Sequence, residues 1–238
     1  MQALEDYIFP EADGFRGIIL DQLLAHGYYR MQHLMFTTNE TLLDYEGKSY
    51  PVFWLRTKVN NIIEGKAALS IRKKCKSFVV SFLPASISQE QEALYSLYRN
   101  SVPFTTCETC YEYLHMPAFA NPFDAWMIEV RDHQRLIAVG YFDRGLSTIA
   151  GIINFYHPDY TKFSLGKFLI LNKIDFARQN NIQLYYTGYI STTVDKFDYK
   201  LFPSPKSVEV YLPTEKKWLP YLFIDKEGLQ EYYINHLI

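Results

Sequence analysis

The apolar residues of the first third of the chain follow two different spacings. Four aliphatic residues recur at helical spacing within residues 15–26, and the glycine that follows is a suitable helix end. Residues 28–36, 50–59 and 77–83 are rich in β-branched and aromatic side chains and are separated by turn-forming residues, so each run predicts a strand. This part of the chain is expected to form a small α+β unit.

A break rich in proline and serine at residues 84–88 separates this unit from the rest of the chain. Ser88 and Gln91 form the capping-box pattern that marks the start of a helix. We therefore predict a domain boundary at this point. The N-terminal domain is expected to cover residues 1–86 and the C-terminal domain residues 87–238.

The C-terminal part alternates strand and helix patterns. Runs at 126–130, 135–143 and 146–156 are joined by short polar turns and predict an antiparallel meander. Ser164 is expected to cap the next helix, and a strand is predicted at 184–189. Helix, meander, helix and strand is the order of a GNAT-type acyltransferase core, in which the fourth and fifth strands splay apart around the acyl donor. The predicted fold class is α+β, with a mixed sheet flanked by helices.

The composition of the chain excludes several classes of protein. The 238 residues are 48% hydrophobic and 21% charged, which suits a protein with a real core and excludes a disordered tail or a coiled coil. A net charge of -2 argues against general attraction to nucleic acid. The acidic N-terminal segment lacks the apolar core of a signal peptide, and no stretch approaches the roughly 18 apolar residues that span a bilayer. Since three cysteines also suit a reducing compartment, a cytoplasmic protein without a membrane partner is expected.

Four motifs in the second half carry a family resemblance. In chain order they are FYHPDY (155–160), SLGKFLILNKIDFAR (164–178), LYYTGY (184–189) and KFDYK (196–200). The series resembles the C-terminal domain of the arginyl-tRNA-protein transferase family, which includes bacterial leucyl transferases. The interval of eight residues from Gly188 to Lys196 is the same as in the family. The resemblance implies a GNAT-like domain that transfers an aminoacyl group from tRNA to a protein N-terminus.

The N-terminal part resembles the family less closely. Segments similar to the family's are GYYR (27–30), VFWLRTKV (52–59) and LSIRKKCKSF (69–78). The family's Cys-x-x-Cys pair is absent, and YEGKSYP (45–51) stands in its place. Further departures from the family pattern are His157, Val194, Asp195 and Phe197. Because Asp195 reverses a charge, it is expected to influence the choice of acceptor, and an Asp195→Arg variant is expected to change that choice.

The implied reaction is the attack of an α-amine on an ester carbonyl. Because the pKa of such an amine is about 7.7 to 8.0, a modest base or desolvation frees its lone pair, and the oxyanion needs a hydrogen-bond donor. The candidate catalytic residues are Tyr189, Tyr199 and Lys200, with Gly188 and Lys196 as substrate-binding residues beside them. By spacing alone, Tyr189 is also typical of a packed strand, and the two lysines are also typical of a solvated helix face.

An acidic acceptor residue would need a cationic partner. A planar guanidinium binds a carboxylate through two parallel hydrogen bonds. Arg30 and Arg56 are the candidates, because both lie in predicted strands where an arginine is expected to have a partner. The alternative is that both are ordinary surface arginines.

The charge of the chain is unevenly distributed. Residues 56–76 carry seven basic side chains and one acidic side chain, a local charge of +6, which leaves -8 for the remainder. Such a segment suits an RNA backbone, although a charged run is also typical of a solvated loop. The candidate tRNA-binding residues are Lys66, Arg72, Lys73, Lys74 and Lys76.

Cysteine spacing raises the question of a metal. Cys107 and Cys110 form a Cys-x-x-Cys pair that His115 and Cys75 would complete to a four-ligand set. Because only one pair exists and it lies away from the family's pair, two ordinary thiols are the preferred interpretation. No metal is expected, and no cofactor beyond aminoacyl-tRNA as co-substrate.

Three functions fit these observations. The favoured one is an aminoacyl-tRNA-protein transferase that moves Arg or Leu to proteins with an acidic N-terminus and marks them for degradation. A GNAT-type N-acyltransferase with another acyl donor would need a small-residue turn for a pyrophosphate, and residues 162–167 contain one glycine. A non-catalytic RNA- or peptide-binding relative is favoured by the missing cysteine pair.

Overall fold

The computed structural model describes residues 5–42, 48–104, 106–114 and 121–237. The strands in these ranges are β1 (Glu5–Ile8), β2 (Tyr29–Met31), β3 (Leu34–Thr38), β4 (Glu40–Leu42), β5 (Ser49–Lys58), β6 (Val79–Pro84), β7 (Ala125–Asp132), β8 (Arg135–Arg144), β9 (Thr148–Tyr156), β10 (Leu184–Ser191), β11 (Val208–Leu212) and β12 (Lys217–Pro220). The α-helices are α1 (Ile18–Ala25), α2 (Lys66–Lys74), α3 (Gln89–Ser101), α4 (Cys110–Leu114), α5 (Leu165–Gln179) and α6 (Asp225–His236).

Nine of the described strands form one mixed sheet. Its order is β12-β11-β5-β10-β9-β8-β7-β6, and β4 pairs with β5 outside this path. β9 and β10 are parallel, while the other paired neighbours in these ranges are antiparallel. A smaller sheet contains β1, β3 and β2. The predicted meander and the α+β class with a mixed sheet flanked by helices are confirmed.

Helices cover both faces of the large sheet. On one face α5 and α2 enclose an apolar cluster that includes Phe142 and Leu169. On the other face α3 and α4 bury Tyr95 and Phe155. The predicted capping box starts α3, where the Gln91 backbone N–H donates to Ser88 Oγ at 3.3 Å. None of the helices in the described residues combines the length and apolar composition required to cross a bilayer.

Strands from both sides of residue 86 belong to the large sheet. β5 pairs with β10 over seven residue positions and with β11 over three. β6 pairs with β7. The division into domains at residue 86 therefore stays a prediction, while the hydrogen-bonded core is continuous across it.

Three local features differ from the predictions. The basic run predicted as a possible loop contains α2, which buries Ala68 and Ile71 on one side and exposes lysines on the other. Ser164 has a left-handed backbone, φ 56°, and its side chain makes no cap hydrogen bond. Residues 28–36 fold into the β2–β3 hairpin, because the chain turns at Gln32, φ 55°. The amphiphilic pattern of α2 is weak in the sequence, because Leu69 faces solvent as well as the lysines.

Candidate active site

The site lies where two parallel strands separate. β9 and β10 pair only from Leu184 with Thr148 to Tyr186 with Ala150. Beyond this point β10 has a bulge against β5 between Tyr186 and Gly188. β9 has a bulge against β8, in which Ile152 is the additional residue. Because bulges bend strands, the two strand ends diverge and leave a gap in the middle of the sheet.

Two cavities occupy this gap. The larger, of about 950 Å³, opens at the N-terminus of α5, where Ser164, Gly166 and Lys167 line it. The smaller, of about 400 Å³, reaches the β2–β3 hairpin. They share a wall formed by Cys107, Tyr113, Ile152, Ile153, Asn154, Tyr189 and Tyr199. Two adjoining chambers with a common wall can hold two reactants side by side.

Gly188 and Lys200 fit together at the base of the smaller cavity. Gly188 has φ 97°, and a Cβ there would lie 3.0 Å from Lys200 Nζ. Lys200 Nζ donates to the Tyr189 carbonyl at 2.9 Å and lies 4.4 Å from the centre of the Tyr189 ring. Burial, together with the nearby charge of Lys196, lowers the pKa of Lys200 to about 7. Both protonation states of this amine are therefore populated near neutral pH.

Gly188→Ala is expected to lower the free energy of unfolding by about 1 to 3 kcal/mol, because the side chain adds strain at positive φ and crowds the Lys200 amine. Urea denaturation measures the change. Gly65→Ala is the control, since Gly65 has φ -82° and a Cβ there meets open space. Equal losses in the two variants would contradict this account of Gly188.

The two predicted tyrosines meet in the shared wall. Tyr189 packs edge-on against Trp54, and its hydroxyl lies 3.3 Å from Thr41 Oγ1. Burial raises the pKa of Tyr189. Burial also raises the pKa of Tyr199 to about 12, with smaller contributions from Tyr189 and Tyr156. Both phenols therefore stay protonated at neutral pH and can act as hydrogen-bond donors.

Arg30 lines the smaller cavity, but its partners belong to this chain. Its side chain is 3% exposed, and Nη1 donates to Asp143 Oδ1 at 2.7 Å. Nε donates to the Gln32 carbonyl at 2.7 Å, and Nη2 donates to the Leu114 carbonyl. Binding of an acceptor carboxylate by Arg30 stays a prediction, and the structure places its guanidinium in an internal ion pair.

Two buried charged residues of the smaller cavity were missed by the sequence analysis. Lys173 on α5 is 1% exposed, and Nζ donates to the Tyr141 carbonyl and to Asn154 Oδ1, both at 2.8 Å. Asp143 at the end of β8 is fully buried. No local signal marked them, because Arg144 follows Asp143 and Lys173 lies between Asn172 and Asp175, so each belongs to an ordinary polar stretch of the sequence. Burial lowers the pKa of Lys173 to about 7.

Lys196 and Arg56 have different positions. Lys196 lines the larger cavity, is exposed, and holds Nζ 3.7 Å from the centre of the Phe104 ring. Arg56 is not among the described residues lining either cavity. Its Nε donates to Glu209 Oε2 at 2.7 Å, and its guanidinium carbon lies 4.4 Å from the centre of the Trp218 ring. The structure brings Lys196 to the site and leaves Arg56 in a pair elsewhere on the sheet.

The predicted tRNA-binding residues lie on and just after α2. Arg72 is bound to Glu64 at 2.6 Å and to Asp175 of α5 at 2.7 Å, whereas the four lysines are exposed. The C-terminal end of α2 lies beside the start of α5, since Cys75 Sγ donates to the Phe163 carbonyl at 3.6 Å. The C-terminal end of α2 therefore lies near the end of α5 at which the larger cavity opens.

The C-terminal helix α6 braces the segment that carries the site lysines. Lys226 Nζ lies 2.6 Å from Asp195 Oδ1 and 2.7 Å from Asp198 Oδ1. Thr192 Oγ1 also donates to Gln230 of α6. Among the described residues lining the two cavities Asp195 does not appear. Its effect on acceptor choice stays a prediction, and its observed contact is with α6.

Cys110 and Cys75 lie in separate environments. Cys110 is buried beneath α3, whereas Cys75 is buried between α2 and α5. Burial raises the pKa of Cys110 to about 12 and that of Cys75 to about 11, so both stay protonated. In the part of the chain that the structure describes, no group of three or more His, Cys, Asp or Glu side chains is arranged to hold a metal, and His115 lies outside that part.

Comparison with known proteins identifies the family. The profile described as "Arginine-tRNA-protein transferase, C terminus" matches residues 90–209, which is half of the chain. The chain belongs to this family. The matched range of this arginine-tRNA-protein transferase family member contains both bulged strands, α5, Tyr189 and Lys200. It also contains Asp143 and Lys173, the two residues that the sequence analysis missed.

Individual relatives share limited sequence identity with this family member. The aspartate/glutamate leucyltransferase of Leptospira interrogans is 21% identical over 169 residues, which cover 69% of this chain and 66% of that protein. Arginyl-tRNA–protein transferase 2 of Arabidopsis thaliana is 31% identical over 104 residues, covering 42% of this chain and 17% of that protein. The solved structure of FemX has a TM-score of 0.46 at 11% identity, over 82% of this chain and 65% of that chain. The chain thus spans less than two thirds of the relatives named here.

Proposed function

We propose that this protein transfers an amino acid, leucine or arginine, from aminoacyl-tRNA to the α-amine of proteins whose first residue is acidic, and so marks them for degradation. The pair of adjoining cavities between β9 and β10 carries the proposal, because the reaction needs an ester and an amine held side by side. The names of its relatives, leucyltransferase and arginyl-tRNA–protein transferase, agree with it. Three free thiols suit a cytoplasmic location.

The larger cavity suits the 3′ end of the tRNA. The N-terminus of α5 opens on it and attracts an anion, and Lys167 and Lys196 add positive charge. Aromatic side chains are available to stack on a base, namely Tyr98, Phe104 and Tyr156. The exposed lysines at the end of α2 would then contact the RNA backbone outside the cavity.

The smaller cavity suits the reacting amine. When its nitrogen attacks the ester carbonyl carbon, negative charge develops on the carbonyl oxygen and needs a preorganised donor. Two candidate donors are the Lys200 ammonium, which lines the smaller cavity, and the Tyr199 hydroxyl, which belongs to the shared wall. The C–N bond forms, the C–O bond to the ribose breaks, and no covalent intermediate with the enzyme is required.

The test is direct transfer of label. The protein is incubated with radiolabelled Leu-tRNA or Arg-tRNA and with peptides that begin with Asp, Glu or Ala. Label in the Asp and Glu peptides from one of the tRNAs is the expected result. No label from either tRNA, together with binding of acyl-CoA, would support an N-acyltransferase with another donor. Binding of tRNA without transfer would support a non-catalytic relative.

The role of the exposed lysines is tested by salt dependence. Replacement of Lys73, Lys74 and Lys76 by glutamine is expected to reduce the slope of log affinity for tRNA against log salt by about 2 to 3, roughly one for each lost phosphate contact. Filter binding between 50 and 300 mM salt, roughly the range over which such contacts are screened, measures it. The control, with an equal change in charge, replaces Lys206, Lys216 and Lys217, which are also exposed. Equal slopes for both triple variants would show that α2 is not part of the RNA interface.

A further inference from the structure

One carboxylate oxygen in the smaller cavity lacks a partner. Asp143 is 0% exposed, and its Oδ1 accepts the bond from Arg30 Nη1. Its Oδ2 is buried and has no hydrogen-bond partner among the described residues. Buried carboxylate oxygens are normally satisfied, because leaving one unpaired costs free energy. An unpartnered acceptor that lines a cavity points to a donor supplied by a ligand.

The other acid of this cavity is already engaged. Glu112 Oε1 accepts from the Thr109 backbone N–H and hydroxyl, both at 3.2 Å, and Oε2 accepts from the Glu108 N–H at 3.3 Å. These bonds hold the turn before α4. Among the acids that line the smaller cavity in the described residues, Asp143 therefore has the available oxygen.

Burial and the neighbouring charged groups hold the pKa of Asp143 in a range in which its carboxyl group can exchange a proton. Burial raises its pKa to about 6, and Asp124 adds to the rise, while Arg30 and Lys173 oppose it. The carboxylate is consequently ionised at neutral pH but remains a stronger base than an ordinary aspartate. Gly140 and Gly151 leave room for Lys173 beside it, since a Cβ at either position would lie within 3.6 Å of that side chain.

We propose that Asp143 is the catalytic base of the transfer, with Oδ2 accepting a proton from the α-amine of the acceptor protein. The assignment rests on the proposed function. The acceptor ammonium gives one proton to Oδ2 as its lone pair attacks the ester carbonyl carbon. After the C–N bond forms, a second proton passes from nitrogen to the ribose oxygen as the C–O bond breaks. Asp143 then releases its proton to water, so the reaction yields an amide, a free ribose hydroxyl and one proton.

The first test is the pH profile of Asp143→Asn. Asparagine keeps an oxygen for Arg30 and loses the base. In the wild type, kcat/KM for an Asp-initiated peptide is expected to rise with pH through about 6, the pKa of Asp143. In the variant the amine must lose its proton unaided, at about 7.7 to 8.0, so the rise is expected to continue to about 7, where deprotonation of Lys200 offsets it. At pH 6.5 the rate is expected to be lower by about 10²- to 10⁴-fold, with tRNA affinity unchanged.

A second variant keeps the proposal testable if Asp143→Asn does not fold. The charge of Lys173 lowers the pKa of Asp143, so Lys173→Met is expected to move the rise in kcat/KM to higher pH. A rise that stays near 6 in Asp143→Asn, or that does not shift upward in Lys173→Met, would overturn the assignment. Absence of transfer by the wild type from both tRNAs would instead refute the proposed function, so the two failures are distinguishable.

Discussion

Lys200→Met is expected to slow aminoacyl transfer by about 10²- to 10³-fold, the usual effect of removing one preorganised donor to an oxyanion. Lys200 lines the smaller cavity, and Gly188 lies against its amine. Since only the protonated amine carries the positive charge that stabilises an oxyanion, and its pKa is about 7, wild-type activity is expected to fall as the pH rises through 7. The variant is expected to lack this fall. Single-turnover transfer from a preformed complex with charged tRNA measures both effects.

Lys206→Met is the matched control for this variant. Lys206 is exposed and lies six residues further along the chain, outside the described linings of both cavities. Its replacement is expected to leave the rate within about twofold of the wild type, as is usual for surface substitutions. If both variants retained full transfer, Lys200 would have no part in the chemical step.

Arg30→Ala is expected to destabilise the fold by about 3 to 5 kcal/mol, the usual result of removing one member of a buried ion pair. The loss leaves Asp143 without its hydrogen-bonded counter-ion, and it removes a guanidinium stacked 4.2 Å from the centre of the Phe123 ring. Urea denaturation at pH 7.5 measures it. Loss of transfer in this variant would therefore not by itself identify Arg30 as the acceptor-binding residue.

The deficit of Arg30→Ala is expected to depend on pH. Without the guanidinium, the pKa of Asp143 in the folded state rises above its wild-type value of about 6, further above the unfolded value of about 3.9. The folded variant then binds a proton more strongly than the unfolded chain. The contribution of Asp143 to the stability of the variant is therefore fully present below pH 4, roughly the unfolded pKa, and is lost as the pH rises through the folded pKa. Denaturation at pH 5 and pH 8 is expected to show the larger deficit at pH 8.

Arg56→Ala provides the comparison for a less buried pair. Its partner Glu209 keeps a second cation, since Lys58 Nζ lies 2.6 Å from Glu209 Oε1. A cost of about 1 kcal/mol is expected, because the carboxylate remains paired with Lys58, whose side chain is 45% exposed. A loss of stability in Arg30→Ala no greater than that in Arg56→Ala would contradict the claim that the buried Asp143 carboxylate depends on the Arg30 guanidinium.

Much of the site could be anticipated from the sequence, because the motifs that carry it are short and local. Gly188, Tyr189, Tyr199 and Lys200 were selected from two adjacent motifs, and all four line one cavity. Lys200 follows Tyr189 by eleven positions, so a short segment of chain is enough to bring the Lys200 amine to the Tyr189 carbonyl. Arg56 lies outside this cavity, because its neighbours come from β11, which pairs with β5 across more than 150 residues, and from β12, which pairs with β11.

The sequence by itself determined the elements whose pattern repeats over a few residues. These are the meander, α3 with its capping box, α5, and the motif series of the family. The constellation of Arg30, Asp143 and Lys173 was decided only by the tertiary structure. These residues come from β2–β3, β8 and α5, and sheet pairing with helix packing brings them to one cavity. The pKa values of Asp143 and Lys173 follow from burial, and burial depends on the packing of the whole sheet, which no local sequence pattern reveals.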